Sequence, residues 1–135
     1  MRLAESLLEE AGISQKVYKL LELQTQLKVF HWGTFSHAQH EAFGKAYDSL
    51  NDLIDDFVEG FQGVHGRISF DGVCLSLMDL EITPDRLFTS VEDYLKFHAD
   101  LLKGMESDIS DTNLLNLRDE MLQAINKLLY LLTLS

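Results

Sequence analysis

Two histidines and a pair of carboxylates stand out for their types and their spacing. His31 is followed directly by Trp32, and His40 comes nine residues after His31. Asp55 and Glu59 lie 15 and 19 residues beyond His40, four apart, a spacing that puts both on one face of a helix. Imidazole nitrogen with carboxylate oxygen, and no thiolate, is a donor set suited to Fe(II), Mn(II) or Zn(II). Neutral imidazole is a borderline donor, while carboxylates stabilise a ferric product by charge. On one helix His40 and Glu59 would stand about 28 Å apart at a rise of about 1.5 Å per residue. A single ion cannot be reached from both. One site built from all four residues therefore requires a second copy packed antiparallel across a two-fold axis, and a symmetric dimer would carry two equivalent sites.

The elements that must position these groups read as helices. From Ile13 to Trp32 the apolar positions Val17, Leu20, Leu23, Leu27 and Phe30 recur at intervals of three and four, the stripe of a half-buried helix. Met1–Glu10 is also helix-prone, with Ala11-Gly12 as an interruption. Gly33-Thr34 offers a turn, and Ser36 fits the cap of a second helix from His37 to about Phe61. That helix carries Phe43, Ala46, Tyr47, Leu50, Leu53, Ile54, Phe57 and Phe61 on one side. Asp48, Asp52, Asp55 and Glu59 form a carboxylate stripe on the other. Gly60, Gly63 and Gly66 are expected to close it.

A long connection from Val64 to Thr89 follows, and Val73, Leu75, Leu77, Met78 and Leu80 within it predict a short helix over 72–81. A third helix spans Ser90 to Ile109, with Val91, Tyr94, His98, Leu101 and Met105 on one stripe. Asp111 or Thr112 caps a fourth, lined by Leu114, Leu117, Met121, Ile125, Leu128 and Leu132. Short links make the first and second helices antiparallel, and likewise the third and fourth. The long crossover lets the second and third run parallel, which is the ferritin-like four-helix bundle rather than an up-down-up-down one. The expected fold is therefore all-α, a single domain over residues 1–135.

Composition agrees with a packed domain. The chain has 135 residues, 46% apolar and 24% charged, with one proline and eight glycines, which excludes collagen-like and linker-rich classes. A lone Cys74 excludes an intramolecular disulfide and fits a reducing, cytoplasmic compartment. The opening MRLAESLLEE carries three glutamates where a signal peptide needs an apolar core. The apolar run Leu128 to Leu134 is far short of the ~20 residues of a membrane span. Eleven Lys and Arg against 22 Asp and Glu give a net charge of −11, with the basic residues scattered singly. Neither nucleic acid nor membrane is an expected partner, since phosphate backbones demand clustered cations. Metal cations suit such a surface.

The run His31-Trp32, His40-x-x-Phe43-x-x-x-Tyr47 and Asp55-x-x-x-Glu59 resembles the ferroxidase signature of the Dps family, the shell-forming mini-ferritins of starved bacteria. The likeness extends through Leu102-Lys103-Gly104-Met105-Glu106 and the leucine-rich last helix, and is close to short ferritin-like proteins encoded by bacteriophages, which would place the chain in a host cytoplasm. The resemblance implies that His31 and His40 of one subunit, with Asp55 and Glu59 of its two-fold mate, bind Fe(II) and oxidise it with hydrogen peroxide or dioxygen. These four would be both metal ligands and catalytic residues of a ferroxidase, within a homodimer and a larger mineral-storing shell. Departures are plain: the loop between the first two helices is shorter than the family's, and Gly44 replaces an aspartate that helps hold a second iron. Asp55-Asp56-Phe57-Val58-Glu59-Gly60 stands in for Asp-x-x-Ala-Glu-Arg, and no DNA-condensing basic tail is present. Ferritins and di-iron oxygenases use Glu-x-x-His pairs, and none of the ten glutamates here has a histidine three residues on.

Plainer readings stand beside these. Taken singly, a histidine at a helix end is usually a cap or surface residue, and an acidic stripe is usually a solvated face. Trp32 reads as a packing residue under the hairpin, His98 as a hydrogen-bonded core residue, His37 and His65 as surface, and Cys74 as buried filler. The competing function is a non-enzymatic helical dimer whose metal site is vestigial, or structural with Zn or Mn.

Overall fold

A computed structural model of the protein describes residues 12–83 and 86–134. The helix expected over Met1–Glu10 lies outside the described residues. Four helices carry the fold: α1 (Ile13–Gly33), α2 (His37–His65), α3 (Val91–Lys103) and α4 (Thr112–Leu132), with a 3-10 turn at Gly104–Ser107. No strand occurs among the described residues, so the all-α reading stands.

Each helix is laid down by its apolar spacing. Val17, Leu20, Leu23, Leu27 and Phe30 of α1 are buried, as are Phe43, Ala46, Leu50, Ile54, Phe57 and Phe61 of α2. Tyr94, Leu95, Leu101 and Leu102 of α3 meet Leu114, Met121, Ile125 and Leu128 of α4 in the same core. Ser36 caps α2 by accepting the Gln39 N–H at 3.3 Å, and Ser90 caps α3 by accepting that of Asp93 at 3.0 Å. Asp111 is the residue before α4, without a side-chain capping bond.

The second helix is longer than its glycines predict. It runs through Gly60 and Gly63 and stops at Gly66, whose φ of +90° lies in the region only glycine enters freely. Gly60 is a packing residue: a Cβ there would come within 3.2 Å of Leu114 Cδ2.

Long-range contacts fix how the helices run. The start of α1 meets the far end of α3 through the Lys16–Asp108 ion pair, and its last turn puts Phe30 edge-on to Tyr94. The end of α2 meets the start of α4 through His65 and Asp111 at 3.0 Å, while Ala42 and Ala46 share a crevice with Leu128 and Leu131. Hence α1 opposes α3, α2 opposes α4, and α2 and α3 point the same way.

The crossover departs from expectation. Residues 72–81 form no helix but an extended strap across α1. Two buried α1 side chains hold it: Gln26 donates to the Met78 carbonyl at 2.8 Å and accepts its N–H at 2.7 Å, and Glu22 accepts the Ser76 N–H at 2.8 Å. These bonds replace the ones a helix would have supplied, and an amide or carboxylate buried on a helix face must find such partners. Met78 is buried, whereas Leu75 and Leu77 are exposed. Arg118, 4% exposed, donates to the carbonyls of Leu102 and Lys103 and closes the end of α3.

Candidate metal centre

The hairpin between α1 and α2 brings His31 and His40 together. Thr34 N–H bonds to Phe30 O and ends α1, and three residues later α2 begins. The two rings stack with centroids 3.7 Å apart and planes 18° from parallel. Each ring also bonds to the other's backbone: His31 Nδ1 lies 2.7 Å from the His40 carbonyl, and His40 Nδ1 lies 2.8 Å from the His31 carbonyl. A carbonyl only accepts, so both Nδ1 atoms carry the proton and donate. In the neutral form of either ring that tautomer leaves the Nε2 lone pair available, the arrangement by which an outer hydrogen bond orients a metal-binding imidazole. His40 also satisfies an otherwise unpaired carbonyl in the last turn of α1.

Gly44 makes the arrangement possible. A Cβ at this position would lie 2.9 Å from His31 Cε1 and 3.0 Å from its Nδ1, so the ring fills the space a side chain would take. A glycine inside a helix costs about 1 kcal/mol relative to alanine. Here it is matched to its neighbour.

Asp55 and Glu59 lie further along α2, exposed to solvent, about 22 and 28 Å from His40 along the axis. They do not meet the histidines within one protomer. They do meet one another, and Asp56 joins them: one carboxylate oxygen from each of the three lies within 4.8 Å of the others. The Glu59 carboxyl is held above the ordinary glutamate range, chiefly by a hydrogen bond with Asp55 and then by the Asp55 charge. Such a group keeps its proton more tightly than an isolated carboxylate, and a cation would displace it. Asp48 and Asp52 are exposed and fall outside the cluster.

The histidines and the acids share the outer face of α1 and α2. Between them Gln24 bonds to Asn51 at 2.6 Å, and Lys28 sits over the Tyr47 ring at 4.5 Å. At the acidic end a cavity of about 420 Å³ opens between Leu21, Ile54, Val58 and Phe70, with Asp55 on its wall. At the histidine end Trp32 is 70% exposed and Phe35 fully so. Trp32 is therefore no packing residue under the hairpin, because the short turn leaves no element above it to pack on. Cys74 is likewise exposed, on the strap, rather than buried.

Other buried polar residues carry structural weight. His98 is buried, as expected, but only half satisfied: its Nδ1 donates to the Tyr94 carbonyl at 2.9 Å, and its Nε2 has no partner among the described residues. The Tyr94 hydroxyl is buried and equally unpartnered. Glu22 sits in the helical pattern like a solvated residue, whereas Arg118, four after Leu114 and three before Met121, falls on the apolar stripe of α4, and Gln26 borders that of α1.

No helix among the described residues is long and apolar enough to cross a membrane. No curated protein and no solved structure matches the chain. A family of unknown function (DUF5856) matches residues 31–132, a span that starts at His31 and holds His40, Asp55, Glu59 and all of α2, α3 and α4. The match covers well over half of the sequence, and the chain belongs to this family.

Proposed function

We propose that the protein is a ferritin-like iron-binding protein that takes up Fe(II) between two copies of the chain, oxidises it with hydrogen peroxide or dioxygen, and sequesters the product. His31 and His40 of one protomer and Asp55 and Glu59 of its two-fold mate are the ligands. The helix directions, with α2 and α3 parallel across a long crossover, support the ferritin-like topology and the mini-ferritin resemblance. The observation that carries the reading is the pair of imidazoles that the hairpin brings together with both Nδ1 protons committed, leaving each Nε2 as the donor; the stacked planes must open for both to meet one ion. Two nitrogen donors alone do not hold a labile divalent ion. The nearest acidic cluster is on the same face but out of reach, and a two-fold axis near the middle of that face would bring it in. The same packing would lay Trp32 and Phe35 toward the apolar cavity beside Asp55.

The experiment is complementation between two dead variants. His31→Ala/His40→Ala and Asp55→Ala/Glu59→Ala should each lose Fe(II) oxidation above the buffer rate. Mixed and reassembled in equal amounts, they form heterodimers in half the population, each with one of its two sites intact. About a quarter of wild-type activity should return. No recovery, or a monomer by sedimentation, removes the reading.

A second reading has its own observation. The two cross-bonds between His31 and His40 already fasten the hairpin without any ion. In that case the protein is a helical assembly module, and Zn or Mn at the same residues would only hold the dimer together. A chelator would then dissociate the dimer, and Fe(II) would oxidise no faster than in buffer.

A further inference from the structure

One stripe of α1 lies on the outer face that it shares with α2. Leu21, Gln24, Lys28 and Trp32 follow one another at intervals of three and four. The whole step is close to three helical turns, so Leu21 and Trp32 stand on the same side of α1, about 16 Å apart. One end of the stripe is a knob: Trp32, 70% exposed and the sole tryptophan of the chain. The Lys28 Nζ, 5.9 Å from its ring centre, confirms that the indole lies along the stripe. The other end is a hole, the cavity of about 420 Å³ lined by Leu21, Ile54, Val58 and Phe70 with Asp55 on its wall. An indole is the side chain that gains most from such a seat, and leaving it in water forfeits that gain.

Knob and hole on one rigid face meet only when a second copy is turned end for end. A two-fold axis through α1 at Gln26–Leu27, halfway between Leu21 and Trp32, sets each Trp32 over the other copy's cavity and closes two equal contacts. The metal ligands locate an axis separately: halfway between His40 and the Asp55/Glu59 pair, α2 is at Asp48–Ser49. Because Gln24 bonds to Asn51 and Lys28 sits over Tyr47, Gln26–Leu27 of α1 are level with Asp48–Ser49 of α2. The two axes coincide.

We infer that this face joins two copies of the chain, with Trp32 of each as the anchor seated in the other's cavity between Leu21, Ile54, Val58 and Phe70. The inference rests on the proposed iron site for its two-fold mate, and adds a contact that forms without an ion. Trp32 adjoins His31 and the cavity wall holds Asp55, so the seated indole registers the histidines of one copy against the acids of the other before any metal arrives.

Because the chain has one tryptophan, its fluorescence reads this contact directly. The full chain is diluted in the presence of a chelator, with sedimentation and tryptophan emission followed together. The dimer should emit at short wavelength and resist acrylamide quenching, and both properties should be lost as it dissociates. Leu21→Glu, an exposed change on the cavity wall, should weaken the dimer about thirtyfold and expose the indole at concentrations where wild type is paired. Tyr130→Ser, which removes another exposed aromatic on α4, should alter neither. A monomer at every concentration in chelator, a dimer whose indole stays exposed, or a Leu21→Glu dimer as tight as wild type would each overturn the inference, leaving the iron reading to its complementation test. A tight metal-free dimer with a buried indole but no Fe(II) oxidation would uphold the interface and remove the iron reading alone.

Discussion

Replacing His98 by leucine should make the protein less sensitive to acid, although it alters no surface charge at neutral pH. His98 is buried on α3 between Tyr94, Phe97 and Phe88, with ring centroids 4.4, 5.2 and 6.4 Å away. Burial drives its pKa down to about 4; the bond to the Tyr94 carbonyl opposes this and the Lys19 charge adds to it. In the unfolded chain the imidazole titrates near 6.5, so between these values the unfolded state holds the extra proton. The folded-state pKa is the lower one, so stability is complete above about 6.5 and falls with pH toward 4. A difference of about two and a half pH units at roughly 1.4 kcal/mol each is about 3 kcal/mol, of which about 2 is gone by pH 5. Against a total of about 5–15 kcal/mol for a small domain, that is a large fraction. Leucine fills similar space and leaves the Tyr94 carbonyl its helical partner. Urea unfolding of both proteins at about pH 7 and about pH 5 reads the difference, because the carboxylates common to both cancel. Wild type should lose about 2 kcal/mol more than His98→Leu on acidification. Equal losses would refute the claim that His98 is held neutral by the core.

Two further outcomes follow from buried contacts. Gln26→Leu removes both bonds to Met78 and strands its N–H and carbonyl against an apolar side chain, which should cost about 2–4 kcal/mol in denaturant. Limited proteolysis should then cut first within 72–83, whereas an intact strap in the variant would mean that Gln26 does not hold it. Gly44→Ala gains up to about 1 kcal/mol of helix propensity but pushes a methyl into the His31 ring. The His31 Nδ1–H signal should lose its protection from exchange and divalent-ion affinity should fall about tenfold; a variant that binds metal like wild type would break the link between Gly44 and the ring.

How far the sequence could be read depended on the range of the contacts. Helices whose partners are local, three and four residues apart, were legible from periodicity, and so was the cap at Ser36, since a capping hydroxyl acts three residues away. The strap was not. Leu75, Leu77 and Met78 carry apolar surface that resembles a helix, and what keeps the segment extended is 52 to 54 residues distant, on Gln26 and Glu22. Gly60 was misread for the same reason: composition cannot separate a glycine that ends a helix from one that lets Leu114 approach, while Gly63 has open space around it and stays helical. The site was half legible. The four candidate ligands and their separation along α2 are in the spacing, but the cross-bonds between His31 and His40 and the addition of Asp56 to the acid cluster depend on the hairpin and on rotamers.

The two departures from the mini-ferritin pattern, a shortened hairpin and a glycine at position 44, look in sequence like independent losses from a metal site. In three dimensions they are one arrangement. The short hairpin draws the end of α1 against the start of α2 until the rings stack at 3.7 Å, and the displaced His31 ring needs room that a Cβ at 44 would occupy. Together they leave both Nδ1 atoms bonded to carbonyls. Alanine at 44 would favour the helix but would meet the His31 ring, so the glycine is fitted to the imidazole. On the proposed reading, Gly44 and the short hairpin together hold the two imidazoles that would ligate the ion.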